Sequence, residues 1–291
     1  MTRFALIPAL CAALALAQDD QMVRVERVVS GLRFTEGPVW HKDGYLLFTD
    51  IPSARILKLA PGKPLETIRE KSGGANGLAL DEHGRLIVCE GEARQVTRTD
   101  AKGRVEVLAS KFEGKALNAP NDVAVRKDGH IYFTDPAFGK SEDSKELPFY
   151  GVFHLTPKGE LSVAARWGKR PNGVALSPTG KILYVAGSDE RVIRAYDVDR
   201  QGNLSNERTL ITGLEGPPDG IKTDEKGNIY AACNDVVVYG PDGKFLRKHE
   251  LPEKPSNLAF GDGDMLGLWI TAKTSVYHMR VEVKGWSIFE P

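Results

Sequence analysis

Six acidic or amide residues, Glu36, Asn76, Asn121, Asn172, Asp219 and Asn257, recur along this chain in one local setting. Each leads into a short apolar run. In the first five copies a turn glycine follows eight positions later, at Gly44, Gly84, Gly129, Gly180 and Gly227. The sixth copy runs from Asn257 to Leu268-Trp269-Ile270 through Gly261-Asp262-Gly263, which breaks that count. Carboxylate and carboxamide oxygens are hard donors, so six of them turned to one point would suit a hard divalent cation.

Asn-Gly and Asp-Gly are also ordinary turn dipeptides, and each leading residue taken singly reads as a turn. Asp43-Gly44, Asp128-Gly129 and Asp242-Gly243 are such turns. The leaders form a second polar set at the other end of each first strand, and Glu36 has no turn preference to explain it. Other chemistries find no support. The chain has no Gly-x-Ser-x-Gly elbow, no His-x-x-x-His pair, no phosphate-binding Gly-x-x-x-x-Gly-Lys-Ser/Thr loop and no dinucleotide fingerprint.

The elements that must position these oxygens follow from the spacing. The leaders are 40, 45, 51, 47 and 38 residues apart. A period in this range marks a stacked or radial repeat array. Each unit alternates apolar residues with Gly-containing turns and has room for four antiparallel strands, which is a propeller blade. The fold expected is therefore all-β, a six-bladed β-propeller with a divalent metal site in its central channel. The second strand of a hairpin returns to the same mouth, bringing Asp50, Glu90 and Asp135 there, where carboxylates commonly hold loop backbone. The insertion from Phe138 to Phe149 emerges at that mouth and reads as a solvated loop or a lid.

Residues 1–17 read as a secretory signal peptide, with Arg3, the uncharged run Phe4 to Ala17, and Ala15-Leu16-Ala17 as the cleavage site. The run is shorter than the ~20 residues of a membrane span. Residues 18–291 are assigned to one propeller in the periplasm or outside the cell. Residues 22–29 alternate in part, as an outer strand should. They are expected to pair with the blade made by residues 257–289 and close the ring. Cys89 and Cys233 fall in the second and fifth repeats, opposite one another, too far apart for a disulfide, so both are expected as buried free thiols. Lys and Arg number 39 against 39 Asp and Glu. That balance argues against a nucleic acid or an anionic membrane as partner.

Several stretches carry a family resemblance: Thr35-Glu36-Gly37-Pro38-Val39-Trp40, Ala75-Asn76-Gly77-Leu78, Pro120-Asn121-Asp122-Val123 with Tyr132-Phe133-Thr134-Asp135-Pro136, Arg170-Pro171-Asn172-Gly173-Val174, and Pro218-Asp219-Gly220. From about residue 30 to 285 the chain resembles the family of senescence marker protein, gluconolactonase and luciferin-regenerating enzyme. The resemblance implies hydrolysis of lactones or related esters around one divalent ion, calcium first, with zinc, magnesium or manganese as alternatives. It implies Glu36, Asn172 and Asp219 as metal ligands and Asn121 as a ligand or a substrate contact. Asn76 would be a substrate or outer-shell position, and Asp219 is the candidate catalytic base, with water activated by the ion as the alternative; Asp135, at the same mouth, is set beside them as a candidate substrate contact. The partner implied is a small molecule bound by a monomer or weak dimer. Some sugar-lactone members carry arginine where this chain has Ala119, so no particular sugar is implied. A non-catalytic propeller with a structural ion, binding a protein or glycan, is the competing reading. A strictosidine-synthase-like enzyme would not need Glu36, Asn172 and Asp219 together.

Overall fold

Six short apolar strands surround one axis. They span Thr35–His41, Ala75–Leu80, Val123–Val125, Pro171–Leu176, Ile221–Thr223 and Pro255–Gly261. Each opens a four-stranded antiparallel sheet. Successive first strands touch around a closed ring, with Thr35–His41 against Pro255–Gly261. The computed structural model describes residues 24–289, and the expected signal peptide at 1–17 lies outside the described residues. Among the described residues the only helical pieces are two 3-10 turns, Ile51–Ser53 and Gly139–Ser144. The architecture is a six-bladed β-propeller.

Two sets of glycines explain the register. Gly44, Gly84, Gly129, Gly180 and Gly227 have φ of 86°, 74°, 88°, 66° and 81°, a region open to glycine and strained for other residues. The glycines that directly follow a leader do something else. A Cβ on Gly37 would lie 1.9 Å from the Asn76 carbonyl oxygen, and one on Gly173 would lie 2.2 Å from that of Asp219. On Gly220 it would meet Asn257 Oδ1 at 2.0 Å. Leader-Gly here is a close approach between neighbouring blades, not a turn dipeptide. The Gly77 N–H donates to Asn121 O at 2.7 Å and the Gly173 N–H to Asp219 O at 3.1 Å, tying each blade to the next. The obstacle at Gly173 is backbone and cannot swing away. Gly173→Ala is therefore expected to cost at least about 1–3 kcal/mol of stability. An unchanged denaturation midpoint would refute this account.

The strand Glu26–Val29 pairs antiparallel with Ser275–Arg280, so the last sheet combines both ends of the described chain. With that outer edge taken, the segment after Arg280 does not extend the blade expected over 257–289. It turns onto the axis. The Trp286 N–H donates to Thr223 O at 3.4 Å, and Gly285 bridges Asp224. Residues 286–289 then cap an apolar cavity of about 150 Å³ at the end of the channel away from the leaders. The two cysteines are free and buried, in separate core clusters.

The insertion at the mouth is tied down. Leu147 is buried. Asn118 Nδ2 donates to Phe149 O at 3.0 Å, Glu146 accepts from Arg94 at 3.1 Å and from the Ala116 N–H at 2.9 Å, and the Arg170 guanidinium lies 4.7 Å over the Phe138 ring. It forms a fixed wall of the mouth.

Candidate functional site

The strand order around the ring sets Glu36, in the first blade, next to Asn257 in the last, with Asp219 in the blade beyond. Glu36 is 4% exposed. Its Oε2 accepts hydrogen bonds from the Gly37 N–H at 2.5 Å and from Asn257 Nδ2 at 2.9 Å. Its Oε1 has no hydrogen-bond partner among the described residues. Burial pushes the Glu36 carboxyl well above the usual carboxylate range, and the charges of Asp219 and Asp122 push it further. Asp219 is raised as well, by burial first. Lys254 and Asn172 oppose that rise, and Asp122 adds to it. The two carboxyls are close enough for the charge of Asp219 to act on Glu36, and among the described residues neither forms a salt bridge.

Asn172 is held in place from the side. Its Nδ2 donates to Ser188 Oγ at 3.0 Å, and Ser188 Oγ donates to Pro218 O at 2.6 Å, next to Asp219. Glu36, Asn172, Asp219 and Asn257 thus stand together. Asn76 and Asn121 are half-buried and line a groove of about 260 Å³ at the mouth, walled by Ile51 and Phe138 with Glu92 at its edge.

Asp135 has another task than the substrate contact expected of it. It is fully buried, with Oδ2 accepting from the Asn118 N–H and Oδ1 from the Ala119 N–H, both at 2.8 Å. Burial raises it to about 7 against those two donors. It pins the loop that carries Asn121. Asp50 does the same work for the backbone of Arg33 and Phe34, and Glu90 accepts from Arg69, Gln95 and Thr97. The threonines just before two of these carboxylates complete the device. Thr49 Oγ1 donates to Asn76 O at 3.1 Å and Thr134 Oγ1 to Asn172 O at 2.7 Å, so one blade fixes the leader of the next.

Sequence reasoning missed Asp122. It is 2% exposed, and its Oδ2 accepts from the Val174 N–H at 3.1 Å. It stands where four of the six repeats have the close-approach glycine, and that departure from the pattern was its signal in the sequence.

The donor set fits a hard cation. Two buried, mutually repelling carboxylates and adjacent carboxamides supply oxygens with no protein cation between them. Among the described residues no group of three or more His, Cys, Asp or Glu side chains is arranged to hold a metal, which leaves carboxamides as necessary members of any such set.

Residues 34–274 match the model of the SMP-30/Gluconolactonase/LRE-like region. The chain is 33% identical to a gluconolactonase of Zymomonas mobilis over 91% of this chain and 83% of that protein. It is similar to the structure of a gluconolactonase from Xanthomonas campestris, with a TM-score of 0.84, 31% identity, and 89% and 90% of the two chains covered. A luciferin-regenerating enzyme shares the fold at a TM-score of 0.80 and 21% identity, over 91% and 98% of the two chains.

Proposed function

The chain belongs to the SMP-30/gluconolactonase/LRE-like family, and from that premise we propose that it is a lactone hydrolase of the gluconolactonase type. The proposed site holds one divalent cation, calcium first and zinc, magnesium or manganese otherwise, through Glu36, Asn172, Asp219 and Asn121. The observation that supports this most is the pairing of Glu36 and Asp219. Two carboxyls buried together are costly when ionised unless a cation sits with them.

When bound, the cation supplies a Lewis acid for the lactone carbonyl oxygen. The chain's own residues do the rest. Asn76 and Asn121, lining the mouth groove, hydrogen-bond the hydroxyls of a small polar ring. Phe138 and Ile51 shield one face of it from water. Asp219 takes the proton from the attacking water as the ring C–O bond gives way to a carboxylate and a hydroxyl. Ser188 keeps Asn172 turned to the same point.

The test is hydrolysis of a panel of lactones with and without chelator. Activity on at least one sugar lactone, lost on chelation and restored by a divalent ion, is the expected result. Activity indifferent to chelation removes the cation from the reading. We further propose, from the Phe4–Ala17 run, that the enzyme is exported, and a mature amino terminus at Gln18 checks this.

A further inference from the structure

Below the leaders, the first strands present a second ring to the channel. The residues three positions on from each leader are Val39, Ala79, Ala124, Ala175, Lys222 and Phe260, and all of them line the cavity beneath the site. Four of the six are small. They leave room for the one long polar side chain, and Lys222 is the only charged residue among the described residues lining that cavity. Its Nζ donates to Asn257 Oδ1 at 3.2 Å and to Ile221 O at 3.1 Å, and lies 3.8 Å from Asp122 Oδ2.

These contacts run in one direction. Asn257 Oδ1 accepts from Lys222 and from the Leu258 N–H at 2.9 Å, which fixes the amide with Nδ2 towards Glu36. Nδ2 then donates to Glu36 Oε2, the oxygen already held by the Gly37 N–H. The oxygen left over is Oε1. Gly220 allows the arrangement, since a Cβ there would overlap Asn257 Oδ1. Behind Lys222 the bore is apolar and capped by residues 286–289, so no other countercharge reaches the site from that side. Lys222 faces Asp122 from the floor of the channel, and Lys254 acts on Asp219.

We propose that Lys222 is a positioning residue: a tethered cation at the floor of the channel that orients Glu36 through Asn257 and thereby sets the affinity of the site for its divalent ion. This rests on the cation-dependent reading above. Its sign separates it from a plain charge effect. Removing a positive charge from the channel should, by Coulomb attraction alone, tighten cation binding. Removing the residue that orients a ligand should weaken it, on the order of 10–100-fold as for other outer-sphere partners of metal ligands.

The experiment is calorimetric titration of Ca²⁺, Zn²⁺, Mg²⁺ and Mn²⁺ into the metal-free full chain, followed by the tightest of them into Lys222→Met, Asn257→Leu and the double variant. Lys222→Met is expected to weaken binding about 10–100-fold. In the Asn257→Leu background it is expected to cause no further loss, and only the Coulomb effect, a tightening, is left, because the route through the amide is already cut. Unchanged or tighter binding by Lys222→Met, or a further tenfold loss in the double variant, overturns the proposal. Should Lys222→Met not fold, Lys222→Gln replaces it with the same two outcomes. If the unaltered chain binds none of the four ions, the cation-dependent reading falls and this inference with it. Binding by the unaltered chain with an indifferent Lys222 variant overturns this inference alone.

Discussion

Asp219→Asn is expected to lower kcat/KM on gluconolactone by about 10³-fold, inside the about 10²–10⁴ that a positioned acid–base group contributes. The same substitution should raise the melting temperature of the metal-free protein. Both effects come from one feature. Asp219 and Glu36 are both buried, burial raises both carboxyls, and the charge of Asp219 raises that of Glu36 further. Neutralising Asp219 removes that repulsion, and each kcal/mol gained moves the melting temperature of a chain this size by about 2–4 °C. Activity and stability are thus expected to move in opposite directions. A variant that keeps full activity, or that loses activity because it melts earlier, contradicts the role given to Asp219. Paired measurement of steady-state kinetics and thermal melting decides it.

The second large effect is that of pH on the protein stripped of divalent ions. Glu36, Asp219 and Asp135 all have carboxyls raised in the folded chain. A raised group favours the folded state most fully below its unfolded pKa and loses that contribution as pH rises through the folded value. These three groups should therefore lower the melting temperature of the metal-free protein from about pH 4 upward, against the rise up to about pH 6.5 that the lowered His41, His130, His154 and His249 contribute. The contribution of Asp135 is lost through about pH 7, and the Glu36–Asp219 pair adds a further decline through its own raised values. A saturating divalent ion should reverse the part of the trend that belongs to the pair, adding about 2.7 kcal/mol at a hundred times its dissociation constant. It should leave the Asp135 part, because that carboxylate is occupied by the Asn118 and Ala119 N–H groups. Thermal melts across pH, with chelator and with excess ion, read both parts. Superimposable curves would mean that no cation binds between the two carboxylates.

The capped channel gives the site one way in. Residues 286–289 close the far end, and the wall built by residues 138–149 narrows the near one. On the proposed reading, substrate enters past the groove lined by Asn76 and Asn121.

The sequence by itself determined the number of blades, the strand that opens each and the six polar positions that head them. It could do so because a radial repeat writes one local pattern five times, with a looser sixth copy: a turn glycine in the left-handed region, an apolar strand, and a polar residue at a fixed distance before it. Those are properties of consecutive residues. Only the tertiary structure decided which of the six polar residues face one another. Glu36 and Asn257 are 221 positions apart yet share a hydrogen bond, because the ring closes between the first and last blades. Tertiary structure also moved Asp135 from the substrate to the loop, since the N–H groups that occupy it belong to a segment folded back from 16 and 17 positions away. It turned the glycine that follows four of the leaders from a turn signal into a contact between blades. Lys222 could not be read at all from one strand. Its meaning depends on the small residues that four other strands place across the bore, and a sequence carries no record of what lies opposite.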